Sequence, residues 1–98
     1  MINRIVRMSF EPEAVPKFLA LFETVKEQIA AFEGCKGLTL LRDAQQPNVL
    51  FTYSYWETEQ HLNKYRFSDL FKHTWQQTKQ HFNDKPIAWS LKVEQVVK

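Results

Sequence analysis

The spacing of apolar residues along this chain switches between a period of two and one near 3.6, and each switch marks an element. Residues 2 to 10 alternate, with Ile2, Arg4, Val6, Met8 and Phe10 on one side and Asn3, Ile5, Arg7 and Ser9 on the other, which predicts a first strand. From Pro12 the period lengthens. Val15, Phe18, Leu19, Phe22, Val25, Ile29 and Phe32 recur at steps of three and four, the single apolar stripe of an amphipathic helix. Proline is tolerated only in a helix's opening turn, so Pro12 and Pro16 place the start of this helix near residue 13. Gly34 supplies a left-handed residue to end it.

A second strand is expected over residues 37 to 43. The polar connection Gln45-Gln46-Pro47-Asn48 leads to a third at 49 to 56, and two strands joined so briefly pair antiparallel. Ile87, Trp89, Leu91 and Val93 alternate with Ala88, Ser90, Lys92 and Glu94, a fourth strand introduced by Asn83, Asp84 and Pro86. Between Thr58 and Phe82 the helical stripe slips. Leu62 and Tyr65 point one way, whereas Phe71, Trp75, Thr78 and Phe82 lie more than about 90° around the axis. Ser68 followed by Asp69 makes a good N-cap, so the reading is a short helix at 59 to 66, a bend, and a second helix at 69 to 82. The order strand, helix, strand, strand, helix, strand is that of a ferredoxin-like βαββαβ α+β fold. It has one four-stranded antiparallel sheet with the helices on one face, in a single domain spanning residues 1–98.

Neither side of the third strand is polar. One set is Val49, Phe51, Tyr53 and Tyr55; the other is Leu50, Thr52, Ser54 and Trp56. Helices cover only one face of a sheet, so the other face requires a partner, and a homodimer packed sheet to sheet is expected. The set with Thr52 and Ser54 is the smaller in volume. It leaves space under the helices, which is the candidate pocket.

Composition narrows the functional classes. The chain has 98 residues, 44% of them hydrophobic and 24% charged, as in an ordinary soluble globular protein. Its formal charge of +2 comes from scattered residues with no basic run, which argues against nucleic acid as a partner. No segment resembles a signal peptide or a membrane span, so a cytoplasmic protein with no membrane partner is expected. Cys35 is alone and is read as a packed thiol. His61, His73 and His81 lack the i, i+4 spacing that sets two imidazoles on one metal, so no metal site is assigned. Two glycines are too few for a phosphate-binding loop.

Several local patterns then converge. Phe32-Glu33-Gly34-Cys35 closes the first helix, Tyr53 to Glu57 (YSYWE) ends the third strand, and Tyr65-Arg66-Phe67-Ser68 precedes Phe71. With the element order, these residues give a chain that resembles the antibiotic biosynthesis monooxygenase family of the dimeric α+β barrel superfamily over essentially its whole length. Cofactor-independent monooxygenases of that family are similar in placing a tryptophan at the end of the third strand, where Trp56 stands. Their asparagine four residues earlier falls on Thr52 and their tyrosine six residues later on Leu62, so the match is partial. The positions that haem-degrading relatives use read Val6, Tyr65 and Trp75 here, which disfavours haem degradation.

The resemblance implies oxidation of a small phenol, quinol or polyketide-like aromatic by O₂, without flavin, metal or other cofactor. The catalytic candidates are Trp56 as wall or stabiliser, Tyr65 as hydrogen-bond donor and Arg66 as a cation favouring the substrate anion. Thr52, Phe71 and Trp75 are the candidate substrate-binding residues, with Trp75 as the opposite wall. Each has a plainer reading: Trp56 and Trp75 as core, and Arg66 paired with Asp69. The alternative function is a dimeric barrel that binds a small aromatic, or merely persists, without turnover.

Overall fold

The computed structural model describes residues 1–98. Four strands, β1 (Ile2–Ser9), β2 (Cys35–Arg42), β3 (Val49–Trp56) and β4 (Ile87–Lys92), form one antiparallel sheet in the order β2-β3-β1-β4. Helices α1 (Val15–Ala30), α2 (Glu59–Arg66) and α3 (Asp69–Lys79) complete the βαββαβ ferredoxin-like α+β fold. The elements sit close to their expected places, with informative shifts at the ends. The strand expected through Phe10 stops at Ser9, because Phe10 turns inward, fully buried, and bridges to Phe82. Pro12–Ala14 form a separate 3-10 turn ahead of α1. That helix ends at Ala30, and Gly34, with φ +85°, reverses the chain into β2. Only glycine fits there: any Cβ would run into the His61 side chain as well as strain the backbone.

The expected break in the second helical region is real. Thr58 Oγ1 accepts the His61 N–H at 3.1 Å to cap α2, and Ser68 Oγ accepts the Phe71 N–H at 3.1 Å to cap α3. The Ser68 hydroxyl also donates to the Tyr65 carbonyl at 2.6 Å, tying the end of one helix to the start of the next. α3 stops at Lys79, short of the expected residue 82, so that Phe82 can turn back and bridge Phe10.

The strand register decides what the helices see. Across the sheet, Leu38, Ser54, Arg4 and Ser90 form one row on the helical side, and Leu40, Thr52, Val6 and Ala88 form the next. Larger residues stand at either end, with Leu50 opposite Met8 in one direction and Trp56 opposite Ile2 in the other. The core is correspondingly split. One cluster gathers Met8, Phe10, Val15, Phe18 and Leu50; a second gathers Ile2, Trp56 and Leu62. A small domain usually has one contiguous core. Here the small middle rows hold the two clusters apart.

The opposite face of the sheet carries Tyr53, Ile5 and Trp89 in one row and Phe51, Arg7 and Ile87 in the next. No helix covers it, and Leu41, Ile87, Trp89 and Leu91 are 41 to 47% exposed. β4 is an edge strand, exposed along its whole length on both sides. No helix is long and apolar enough to cross a membrane.

Candidate functional site

Where the middle rows of the sheet leave space, a cavity of about 280 Å³ lies between sheet and helices. Arg4, Val6, Thr52 and Ser54 line it from the sheet, Phe18, Phe22 and Val25 from α1, and Tyr65, Phe71 and Trp75 from α2 and α3. Its volume is at the small end of ligand pockets, which run from about 300 Å³ upward, so one or two fused rings are the fitting size. The walls are mostly apolar. Phe71 and Trp75 lie nearly parallel, with ring centroids 5.8 Å apart, and Tyr65 meets Phe71 edge-on at 5.3 Å. The Ser68 cap sets this wall, because it ends α2 just after Tyr65 and restarts the helix just before Phe71.

The charge in the cavity is one-sided. Arg4 and Arg66 line it, and no Asp, Glu or His does. Arg4 Nη1 donates to Ser90 Oγ at 2.8 Å, which leaves most of its five N–H donors free. Burial lowers the Arg4 pKa from its ordinary value, and the neighbouring Arg66 charge lowers it further. The phenol of Tyr65 goes the other way. Burial pushes its pKa well above the usual value, and Cys35 nearby adds to the effect. Tyr65 is therefore a neutral O–H donor at any physiological pH.

Five of the six expected site residues meet here: Thr52, Tyr65, Arg66, Phe71 and Trp75. The sixth does not. Trp56 is fully buried beside Ile2 and Leu62, so its expected role as a cavity wall is corrected. The cause is register, which sets Trp56 one row beyond Ser54 and under α2. It still reaches the site at second hand. Its indole N–H donates to Ser54 Oγ at 2.9 Å, and its ring stacks on Tyr65 at 4.9 Å and 23°. The alternative pairing of Arg66 with Asp69 does not form: the ion pairs are Lys26 with Glu23, Lys36 with Glu57 and Lys64 with Glu33. His73 is exposed and contacts Gln77.

Sequence reasoning missed Arg4. The signal was present, since a lone cation among Ile2, Val6, Met8 and Phe10 on a helix-facing strand is out of place unless something occupies it. Thr74 was missed too. It lines the cavity, and its Oγ1 is buried without a hydrogen-bond partner.

Comparison with known proteins places these observations in a family. Residues 1–77 match the family model described as antibiotic biosynthesis monooxygenase. No curated protein matches the chain. Among solved structures, a conserved protein from Methanosarcina mazei Go1 superposes with a TM-score of 0.89 at 21% identity, covering 93% of this chain and 90% of that one. Rv0793 from Mycobacterium tuberculosis gives 0.89 at 18% identity, with 99% and 98% covered. A mutant of SnoaB, a cofactor-independent oxygenase from Streptomyces nogalater, gives 0.86 at 14%, with 98% and 95% covered. At such identities the structural likeness speaks to the fold alone. The family match extends over most of the sequence, and the chain belongs to the antibiotic biosynthesis monooxygenase family.

Proposed function

We propose that the cavity binds a one- or two-ring phenol or quinol and that the protein oxidises it with O₂, with no cofactor. What supports this most is the combination of an aromatic-walled cavity, two arginines and a neutral Tyr65 phenol in one place. The ring lies against Phe71 and Trp75, and Tyr65 donates to the substrate oxygen. Arg66 favours the substrate anion. Since no carboxylate or imidazole lines the cavity, the substrate proton leaves to solvent, its loss favoured because two cations lower the pKa of the substrate hydroxyl. The anion passes an electron to O₂, and the radical pair combines at a ring carbon. Loss of water from the peroxide leaves a carbonyl there. One oxygen atom stays on the ring, and the other departs as water with two substrate hydrogens.

Trp56 enters this scheme as a positioning residue that holds Tyr65 from behind. Oxygen uptake with a panel of one- and two-ring phenols and hydroquinones tests the reading. Tyr65→Phe is expected to lower kcat about a hundredfold, the usual effect of removing one donor from a developing oxyanion. Trp56→Phe is expected to lower kcat less, with KM little changed. An unaltered rate in Trp56→Phe would remove Trp56 from the mechanism.

The absence of a base among the lining residues also supports the alternative, a barrel that binds an aromatic without turnover. Tight binding with no oxygen uptake across the panel would establish it. A cavity of about 280 Å³ argues against a ligand as large as haem. We further propose that the chain acts as one domain in a homodimer with the two bare sheet faces packed together. A cytoplasmic setting, where a lone thiol stays reduced, fits this reading.

A further inference from the structure

We propose that Arg4 and Arg66 form a clamp for a carboxylate, so that the ligand of this cavity is an aromatic ring bearing a carboxylate beside its hydroxyl. The inference rests on the reading of the cavity as the ligand site and narrows what enters it. Two cations line an otherwise uncharged cavity, and neither has an acidic partner. Arg4 is half-buried, where a charge is ordinarily paired, and Arg66 stands exposed at the mouth of the same cavity. Arg4 has a single side-chain partner, Ser90, which is neutral, and Arg66 has none. Like charges held close together repel, and their mutual effect is felt at Arg4. An anion between them relieves that repulsion and satisfies donors the protein leaves free.

A carboxylate suits the pair better than a lone phenolate. Guanidinium groups present planar forks of N–H donors that match two oxygens in a plane, and two such groups offer more donors than one phenolate oxygen can accept. The sheet brings Arg4 from the floor, and the end of α2 brings Arg66 from the rim. The hydroxyl-bearing ring then lies against Phe71 and Trp75 with its oxygen toward Tyr65; the carboxylate offsets one of the two positive charges, and the other still favours the anion of the adjacent hydroxyl.

Quenching of tryptophan fluorescence by 1-hydroxy-2-naphthoate and by 1-naphthol, at matched ionic strength, tests this. The two probes differ only in the carboxylate. In the wild-type protein the naphthoate is expected to bind roughly tenfold or more tightly, as hydrogen bonds between charged groups imply. Arg4→Gln and Arg66→Gln should each cut that preference, and the double variant should bring the ratio of the two affinities near one. A ratio near one in the wild type, or a preference that survives in the double variant, would overturn the clamp. Should loss of the Ser90 contact unfold the Arg4 variant, the wild-type ratio across a salt series decides. A preference that falls as salt rises supports the clamp, and one indifferent to salt overturns it. Naphthol binding with no preference overturns the clamp while leaving the ring site standing. Preference without oxygen uptake on hydroxylated probes supports the clamp and overturns the oxidation reading. Failure of both probes to bind overturns clamp and ligand site together.

Discussion

Thr52→Phe is expected to abolish aromatic binding while leaving the fold intact. Thr52 sits mid-strand between Leu40 and Val6, on the floor of the cavity, where its small side chain is one cause of the space. In a filled core, a change of this size forces strained rotamers and costs about 1–3 kcal/mol. Here the new ring has somewhere to go. The phenyl group enters the 280 Å³ cavity and takes the place of a ligand ring. Thermal or urea unfolding should therefore show stability within about 1 kcal/mol of wild type, since added apolar burial offsets residual strain. Affinity for 1-naphthol should fall by at least about a hundredfold, equivalent to roughly 2.7 kcal/mol. Undiminished binding would place the ligand elsewhere. A loss of several kcal/mol in stability would mean that the two core clusters already meet.

The second large effect concerns the bare sheet. Trp89→Glu is expected to convert a dimer into monomers. Trp89 is 41% exposed in the single chain, in one row with Ile5 and Tyr53, so the substitution perturbs the subunit itself little. An apolar surface of this extent is rare on a monomer, where patches beyond a few hundred Å² mark interfaces. Stable dimers bury about 800 Å² on each partner, and a four-stranded face supplies that order of area. A symmetric interface would receive two carboxylates from one substitution, each costing several kcal/mol to bury. Sedimentation should show wild type at twice the chain mass and Trp89→Glu at the chain mass. Wild-type monomers at micromolar concentration would remove the proposed interface.

Much of this was legible in the sequence, for identifiable reasons. The alternation of β1 and the stripe of α1 come from burial on one side, and burial leaves a period, whereas β4 alternates although the single chain leaves it exposed throughout. The break at Ser68 was legible because a cap residue coincides with a slip in helical phase. The space under the helices followed from two small residues, Thr52 and Ser54, flanked by Leu50 and Trp56. What sequence could not supply was register. Which residue of β1 faces Ser54 depends on strand pairing, and that pairing brings Arg4 to the cavity beside Ser90. The same pairing carries Trp56 past the cavity to a sealed position beneath Leu62. A family resemblance pointed to Trp56 as a wall, but only the packing of α2 decides what touches a ligand. The end of α3 was also out of reach, since it depends on Phe82 turning back to a distant Phe10.

A crystal structure of the protein with 1-hydroxy-2-naphthoate addresses the reading of the cavity as the ligand site without intermediaries. The expected density is a fused ring between the sheet and the α2–α3 wall, in contact with Thr52, Phe71 and Trp75, with its hydroxyl toward Tyr65. A ring bound anywhere outside that cavity, or a cavity closed by its own side chains while the ligand is bound, would contradict it.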